Sequence, residues 1–388
     1  MQRKFGAAGV CVLFVLATLA ACGGGGGGDG SAAAPQPENL AAAAQPSGNV
    51  AGFAYVANQG SGNVSAYAID TSTGALSEVA GSPFAAGIGP ESISVHPSGK
   101  FAYVANFGSA NVSGSVSAYT IDASTGALSE IAGSPFAAGT LPVAITVDPS
   151  GRFAYVANNF SSNVSTYTIN TTTGALTSIG AAVAAGFRPN AIAVDPSGKF
   201  AYVANFIGDF SGNVSAYTID AGTGALAEVP GSPSAAGLDP QSVTVEPSGR
   251  FVYVANRGGN DISVYAIGAA TGALQEIAGS PFAGGGHLFV EPSGRYAYVS
   301  NNVSGDVAAY TINATTGALA RIGAFTAGAS PYRVTVDSSG KFAYVANRGG
   351  NSVSAYSIDS ASGALTRMGA AVAAGTRPNA VTTTRKIR

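Results

Sequence analysis

Charge is scarce in this sequence. Aspartate, glutamate, lysine and arginine make up 10% of it, where a globular protein carries about a quarter. No window gathers the lysines and arginines that a phosphate backbone demands, and the formal net charge is −2, so nucleic acid is excluded as a partner. Tryptophan is absent, and histidine and cysteine occur twice each. His96, His287, Cys11 and Cys22 are too few to build a metal cluster, and no cofactor is expected. A phosphate-cradling glycine loop before a helix and a Gly-x-Ser-x-Gly nucleophile elbow are missing too. What fills the chain instead is glycine (54 residues) with alanine, serine, threonine and valine. That mixture suits many short strands joined by tight turns.

The N-terminus reads as an export signal over residues 1–21. Arg3 and Lys4 give it a positive start, and Val10 to Ala20 is an apolar core too short to span a bilayer and stay there. Leu19-Ala20-Ala21-Cys22 closes it and is similar to the bacterial lipobox, whose cysteine is acylated, so a lipid anchor is expected on Cys22. An ordinary small-residue cleavage site is the plainer reading of the same residues. Residues 22–49 are low-complexity Gly, Ala and Pro, which bury no core and act as a tether with a reach of roughly 30 Å. Gly23 stands where an aspartate usually signals inner-membrane retention. An outer-membrane or cell-surface lipoprotein, held to the membrane through the lipid alone, is therefore expected.

From residue 50 to the C-terminus the sequence repeats. Tyr-Val-Ala-Asn begins at Tyr55, Tyr103, Tyr155, Tyr202, Tyr253 and Tyr344, with Tyr-Val-Ser-Asn at Tyr298, at spacings of 48, 52, 47, 51, 45 and 46. A period of this size made only of strand-like segments marks propeller blades. In the third copy Val143 to Val147, the turn Asp148-Pro-Ser-Gly151, Phe153 to Asn158, Asn163 to Ile169 and Gly174 to Ile179 read as four strands with locally encoded turns. Phe153 and Tyr155 face one way, Ala154 and Val156 the other, so both faces of each sheet need cover. The first copy starts at its second strand, and the chain ends on an orphan first strand, Arg377 to Thr384. An all-β, seven-bladed propeller of four-stranded antiparallel blades follows, its ring closed when the C-terminal strand joins the first blade. A monomer is expected.

Most polar positions have structural readings. His96, Asp148, Asp195, Glu246, Glu291 and Asp337 head the inter-strand turns, and the asparagine that ends each second strand is expected to satisfy turn amides. The Asn-Val-Ser triplets match a glycosylation sequon but recur as repeat grammar. Aligning the loops that enter the first strands leaves a remainder. Two places after the entry position stand Ser92, Ala144, Ala191, Ser242, His287, Arg333 and Ala380. Adjacent blades thus carry His287 and Arg333 where the others carry small residues. Arg188 and Arg377 precede their prolines, and Arg257, Asn302 and Arg348 follow second strands on the same face. These residues predict a positively biased channel mouth on a slightly acidic protein; scattered solvated arginines are the bland alternative.

The Tyr-Val-Ala-Asn units, with Asp-Pro-Ser-Gly-Lys/Arg before them, resemble the lactonase-type seven-bladed propeller family, which includes 6-phosphogluconolactonase-like enzymes and the YVTN surface-layer propellers. That resemblance implies the fold over residues 50–384 and a lactone-opening site. Its enzymes show Gly-Pro-Arg-His before one first strand and Asn-Glu after the following second strand; here these places read Gly284-Gly285-Gly286-His287 and Asn301-Asn302. The histidine matches, whereas Asn302 cannot serve as a general base. Two functions are expected: a module that binds a small anion, a sugar or an envelope protein at the mouth, with Arg333, Arg348, Arg377, Arg188, Asn302 and Arg257 as ligand contacts, or a lactone hydrolase with His287 as base.

Overall fold

The computed structural model describes residues 50–384 apart from 110–112 and 209–210. The expected signal, Cys22 and tether lie outside the described residues. Among the described residues no helix is long and apolar enough to cross a membrane.

Seven antiparallel sheets follow one another along the chain. Blade three shows the unit, with strands Pro142–Val147, Phe153–Asn158 and Asn163–Ile169, and a fourth strand in two pieces, Leu176–Ser178 and Val183–Ala184. Its first turn forms because the Asp148 carboxylate accepts the N–H groups of Ser150, Arg152 and Phe153 while its carbonyl accepts that of Gly151. His96 does the same work in blade two, with Nδ1 on Ser98 and Nε2 on the Gly151 carbonyl of the next blade.

Two features differ from the sequence reading. The fourth strand is continuous in blade six (Leu319–Thr326) and broken in the other six blades. In four of these the break is Gly-Ser-Pro, with a cis Ser–Pro bond after Ser82, Ser134, Ser232 and Ser280. Each of these serines accepts an N–H of the third strand that the departing fourth strand no longer meets. The strand-ending asparagines are the second feature: a loop N–H reaches the Oδ1 of Asn158, Asn347 and Asn301, while the Oδ1 of Asn58, Asn106, Asn205 and Asn256 is buried without a partner. Asn58, Asn106, Asn158, Asn205, Asn256 and Asn347 are fully buried and donate to a serine on the third strand, at 2.9 Å in every case.

Closure occurs as the sequence implies. Pro378–Thr383 pairs antiparallel with Val50–Asn58, Val381 opposite Val56, and completes blade one. Seven apolar clusters form the core, each drawn from two neighbouring blades. Ala380 and Val381 of the closing strand enter the clusters on either side of blade one. The blades are also bonded to each other. Tyr55, Tyr103, Tyr155, Tyr202, Tyr253 and Tyr298 each donate their hydroxyl to a glycine carbonyl one blade ahead, and Tyr344 closes the circle on Gly74. Gly74 has φ of +68°, and a Cβ there would lie 2.3 Å from the Phe342 ring of blade seven, so no other residue fits.

Strand direction places the first-strand entries and the second-strand exits on one face. Backbone bonds lock the two sets of loops together, as in Phe107 N–H to Gly89 and Arg348 N–H to Ser330.

Candidate functional site

The inner strands begin at this face, so the residue two places after each entry points into the central channel. Ser92, Ala144, Ala191, Ser242, His287, Arg333 and Ala380 all line a cavity of ≈ 200 Å³ there. The small residues leave the space, and His287 and Arg333 fill part of it. Arg333 reaches across the ring from blade seven, its Nη1 donating to Ser92 Oγ at 3.1 Å and its Nη2 to the Val143 carbonyl at 3.4 Å. Its Nε is buried with no partner.

His287 is held at its ring by Tyr332, centroid to centroid 4.4 Å and tilted by 59°. Burial drives its pKa well below the usual 6.5, and the Arg333, Arg257 and Arg348 guanidiniums push the same way. The imidazole is therefore neutral at physiological pH, and its Nε2 is buried without a hydrogen-bond partner. Arg348 lies over the Tyr332 ring, 5.3 Å from its centroid, and donates Nη2 to Gln59 Oε1 at 3.0 Å. Its Nε is unpartnered as well. Beside them Arg257 and Asn302 line a small recess with Gln241, His287 and Tyr332, and Arg257 is ion-paired to Asp239 at 2.8 Å.

The structure thus gathers His287, Arg333, Arg348, Arg257 and Asn302. Arg188 and Arg377 stay on the rim, exposed, at left-handed φ of 48° and 54°. The Arg188 guanidinium lies over exposed Phe187, and Arg377 contributes its N–H to Asn351. Neither lines the channel cavity.

A carboxylate missing from the sequence reading completes the group. Glu91 is buried beside the mouth, accepting Nε2–H of Gln59 on one oxygen and Nδ2–H of Asn379 on the other. Burial raises its pKa; Asn379, Arg333, Arg348 and Gln59 oppose the rise. Gln59 thereby links Arg348 to Glu91, and Asn379 brings the closing strand into the same network. Gln59 follows a second strand as Arg348 does, whereas Glu91 and Asn379 stand one place nearer the loop than the aligned His287 and Arg333. At that place the blades read Glu91, Val143, Asn190, Gln241, Gly286, Tyr332 and Asn379. Glu91 is the one carboxylic acid among them, a signal available in the alignment one column away.

Gly286 explains the lost arginine. Its φ is +137°, and a Cβ would sit 1.9 Å from the Ser300 carbonyl oxygen, so the short loop admits no side chain. Chemically, the mouth offers two guanidiniums with donors to spare, a neutral imidazole and one buried acid. It fits an oxygen-rich, anionic or hydroxylated small molecule.

Comparison with known proteins agrees with this architecture. The family model described as lactonase, seven-bladed β-propeller, matches residues 41–239, 237–336 and 325–386. No curated protein matches the chain. Similar solved structures include a protein of Bacteroides uniformis provisionally described as a 6-phosphogluconolactonase, 18% identical over 85% of this chain and 98% of that one, with a TM-score of 0.75. A counterpart from Bacteroides fragilis is 21% identical over 85% and 97%, TM-score 0.74. The periplasmic gluconolactonase of Pseudomonas aeruginosa is 18% identical over 86% and 99%, TM-score 0.71. At these identities the structures speak for the fold, and the family match spans the whole propeller. The chain belongs to the seven-bladed β-propeller lactonase family.

Proposed function

We propose that this protein is an exported lactonase-family propeller, anchored through Cys22, whose channel mouth binds a small anionic or sugar-derived ligand. The observation that carries the reading is the pair Arg333 and Arg348. Both reach the mouth, both keep an unpartnered Nε, and Glu91 is the one carboxylate set against them. A ligand carboxylate or phosphate would complete their hydrogen bonding, each contact contributing roughly 1.5–3 kcal/mol. An envelope protein presenting an acidic side chain fits the same chemistry.

His287 favours a second reading, lactone hydrolysis, which is also the activity named for the Pseudomonas aeruginosa protein. In this reading water attacks the lactone carbonyl and gives its proton to His287 Nε2; the bond from the carbonyl carbon to the ring oxygen then breaks, and the imidazolium returns the proton to the departing oxygen, leaving the open hydroxy acid. Arg333 would stabilise the oxyanion. Asn302 cannot take the proton, and Glu91 already has both oxygens engaged.

Titration with D-gluconate and 6-phosphogluconate tests the binding reading. Arg333→Ala should weaken the anion by tenfold or more, about 1.4 kcal/mol, and affinity should fall as salt rises; an unchanged affinity contradicts it. Hydrolysis of glucono-δ-lactone in a pH-stat tests the enzymatic reading. His287→Ala should bring the rate down to that of buffer while gluconate still binds. Because the folded-state pKa of His287 lies below 6.5, the base stays deprotonated and the rate should hold constant down through pH 6.5, falling only at lower pH. A rate that already declines between pH 7.5 and 6.5, or a wild type no faster than buffer, removes His287 as the base. Anchoring is checked by labelling cells with a clickable fatty acid, which should mark the wild type and not Cys22→Ser; equal labelling removes the anchor.

A further inference from the structure

Six blades hold the strand-ending asparagine by the same two devices. Its amide donates to a serine on the third strand, one of Ser65, Ser117, Ser165, Ser215, Ser263 and Ser354. A loop glycine lies against it; a Cβ on Gly87, Gly139, Gly186, Gly237, Gly328 or Gly375 would come within 2.7 Å of the asparagine side chain. Blade six lacks both. The third-strand serine is Ala308, and the covering loop is three residues shorter, one residue separating Ala283 from the entry position Gly285 where four separate Ala85 from Pro90.

The shortened loop leaves a cavity of ≈ 200 Å³ between blades five and six. Asn301, released from the role its six counterparts play, turns into it and is part-exposed. Its Oδ1 accepts the N–H groups of Val303 and Ser304, while its Nδ2 has only a 3.4 Å contact with Asn260 Oδ1. Asp306 and Arg321 line the same space with Asn260 and Ser304, and the two charges are not ion-paired to each other. The register places Arg321 opposite Tyr310, where four other blades carry Glu78, Glu130, Glu228 and Glu276. The floor is rigid: Gly284 and Gly285 are pinned against the Tyr310 hydroxyl and the Asn260 backbone, leaving no room for a Cβ on either.

We propose that this cavity between blades five and six binds one neutral hexose ring. A carboxylate and an amide at neighbouring positions accept and donate to vicinal hydroxyls, and the single acid and single cation cancel, which disfavours a charged ligand. The volume lies below the roughly 300–1,000 Å³ of a drug-sized site, so one ring is the limit. This site is separate from the channel cavity and does not rest on the function proposed for it.

Saturation-transfer NMR on the full protein with D-glucose, D-galactose and D-mannose tests the proposal. At least one hexose should bind with a millimolar Kd. Ala308→Ser restores the partner that holds Asn301 back in the other blades, and Arg321→Glu restores the residue of four of them; each should weaken the hexose by at least tenfold. Arg333→Ala, which alters the channel, should leave it unchanged. Arg321 is exposed, so its substitution keeps the test decisive even where Ala308→Ser perturbs folding. Absence of hexose binding, binding that survives Arg321→Glu unchanged, or binding of glycine and alanine in place of the sugars overturns it.

Discussion

The bond on which this molecule depends runs from a tyrosine hydroxyl in one blade to a glycine carbonyl in the next. A buried phenol without an acceptor loses its hydration and gains nothing, a cost of about 1–3 kcal/mol. The propeller supplies the acceptor by turning each Thr-Gly-Ala or Ser-Gly-Ala corner at a left-handed glycine whose Cα lies under an aromatic ring of the preceding blade. A second tyrosine answers in the opposite direction: Tyr119 of blade two donates to Ala85 of blade one, and Tyr67 of blade one to Ala373 of blade seven. Burial raises the pKa of these phenols, so they remain donors throughout the physiological range. Each interface is thus bonded both ways, and the set is complete only when blade seven meets blade one. That requirement is what the C-terminal strand satisfies.

With the blades held at their interfaces, the inner ends of the first strands carry little structural duty. Small residues suffice there, as at Ala144, Ala191 and Ala380, and any larger side chain projects into the channel. His287 and Arg333 occupy those positions in adjacent blades; Glu91, Tyr332 and Asn379 surround them from the starts of first strands, and Gln59 and Arg348 from the loops after second strands. Chemistry is confined to places the scaffold leaves free. Blade six extends the same logic outward: Ala308 and a shortened loop release Asn301 from a purely structural position, and the short loop leaves no space for a side chain at Gly286.

The fold was legible because a repeat writes each structural position seven times, and a strand without a partner at either end of the array declares closure. Half of the site was legible for the same reason, since His287 and Arg333 depart from a column of small residues. Glu91, Gln59 and Asn379 were harder to see. Their meeting joins blade two, blade one and the closing strand across 288 residues of chain between Glu91 and Asn379. No local pattern encodes that contact; only the closed ring makes it. Arg188 and Arg377 stand at the rim, as their place before the entry prolines implies, exposed and on left-handed backbone, apart from the group around His287. The broken fourth strand escaped notice because Gly-Ser-Pro reads as an ordinary turn, and the serine that compensates for the break acts on a strand sixteen residues before it.

Equilibrium denaturation of seven single variants, Tyr→Phe at 55, 103, 155, 202, 253, 298 and 344, measures the inter-blade bond one interface at a time. Each should lose about 1 kcal/mol or slightly more, with an unchanged denaturant slope and a single transition. Equal cost at Tyr344 and at the six others is the signature of a ring with no weak seam. Variants as stable as the wild type, or a loss confined to Tyr344, would contradict the claim that seven equivalent tyrosine bonds hold the propeller closed.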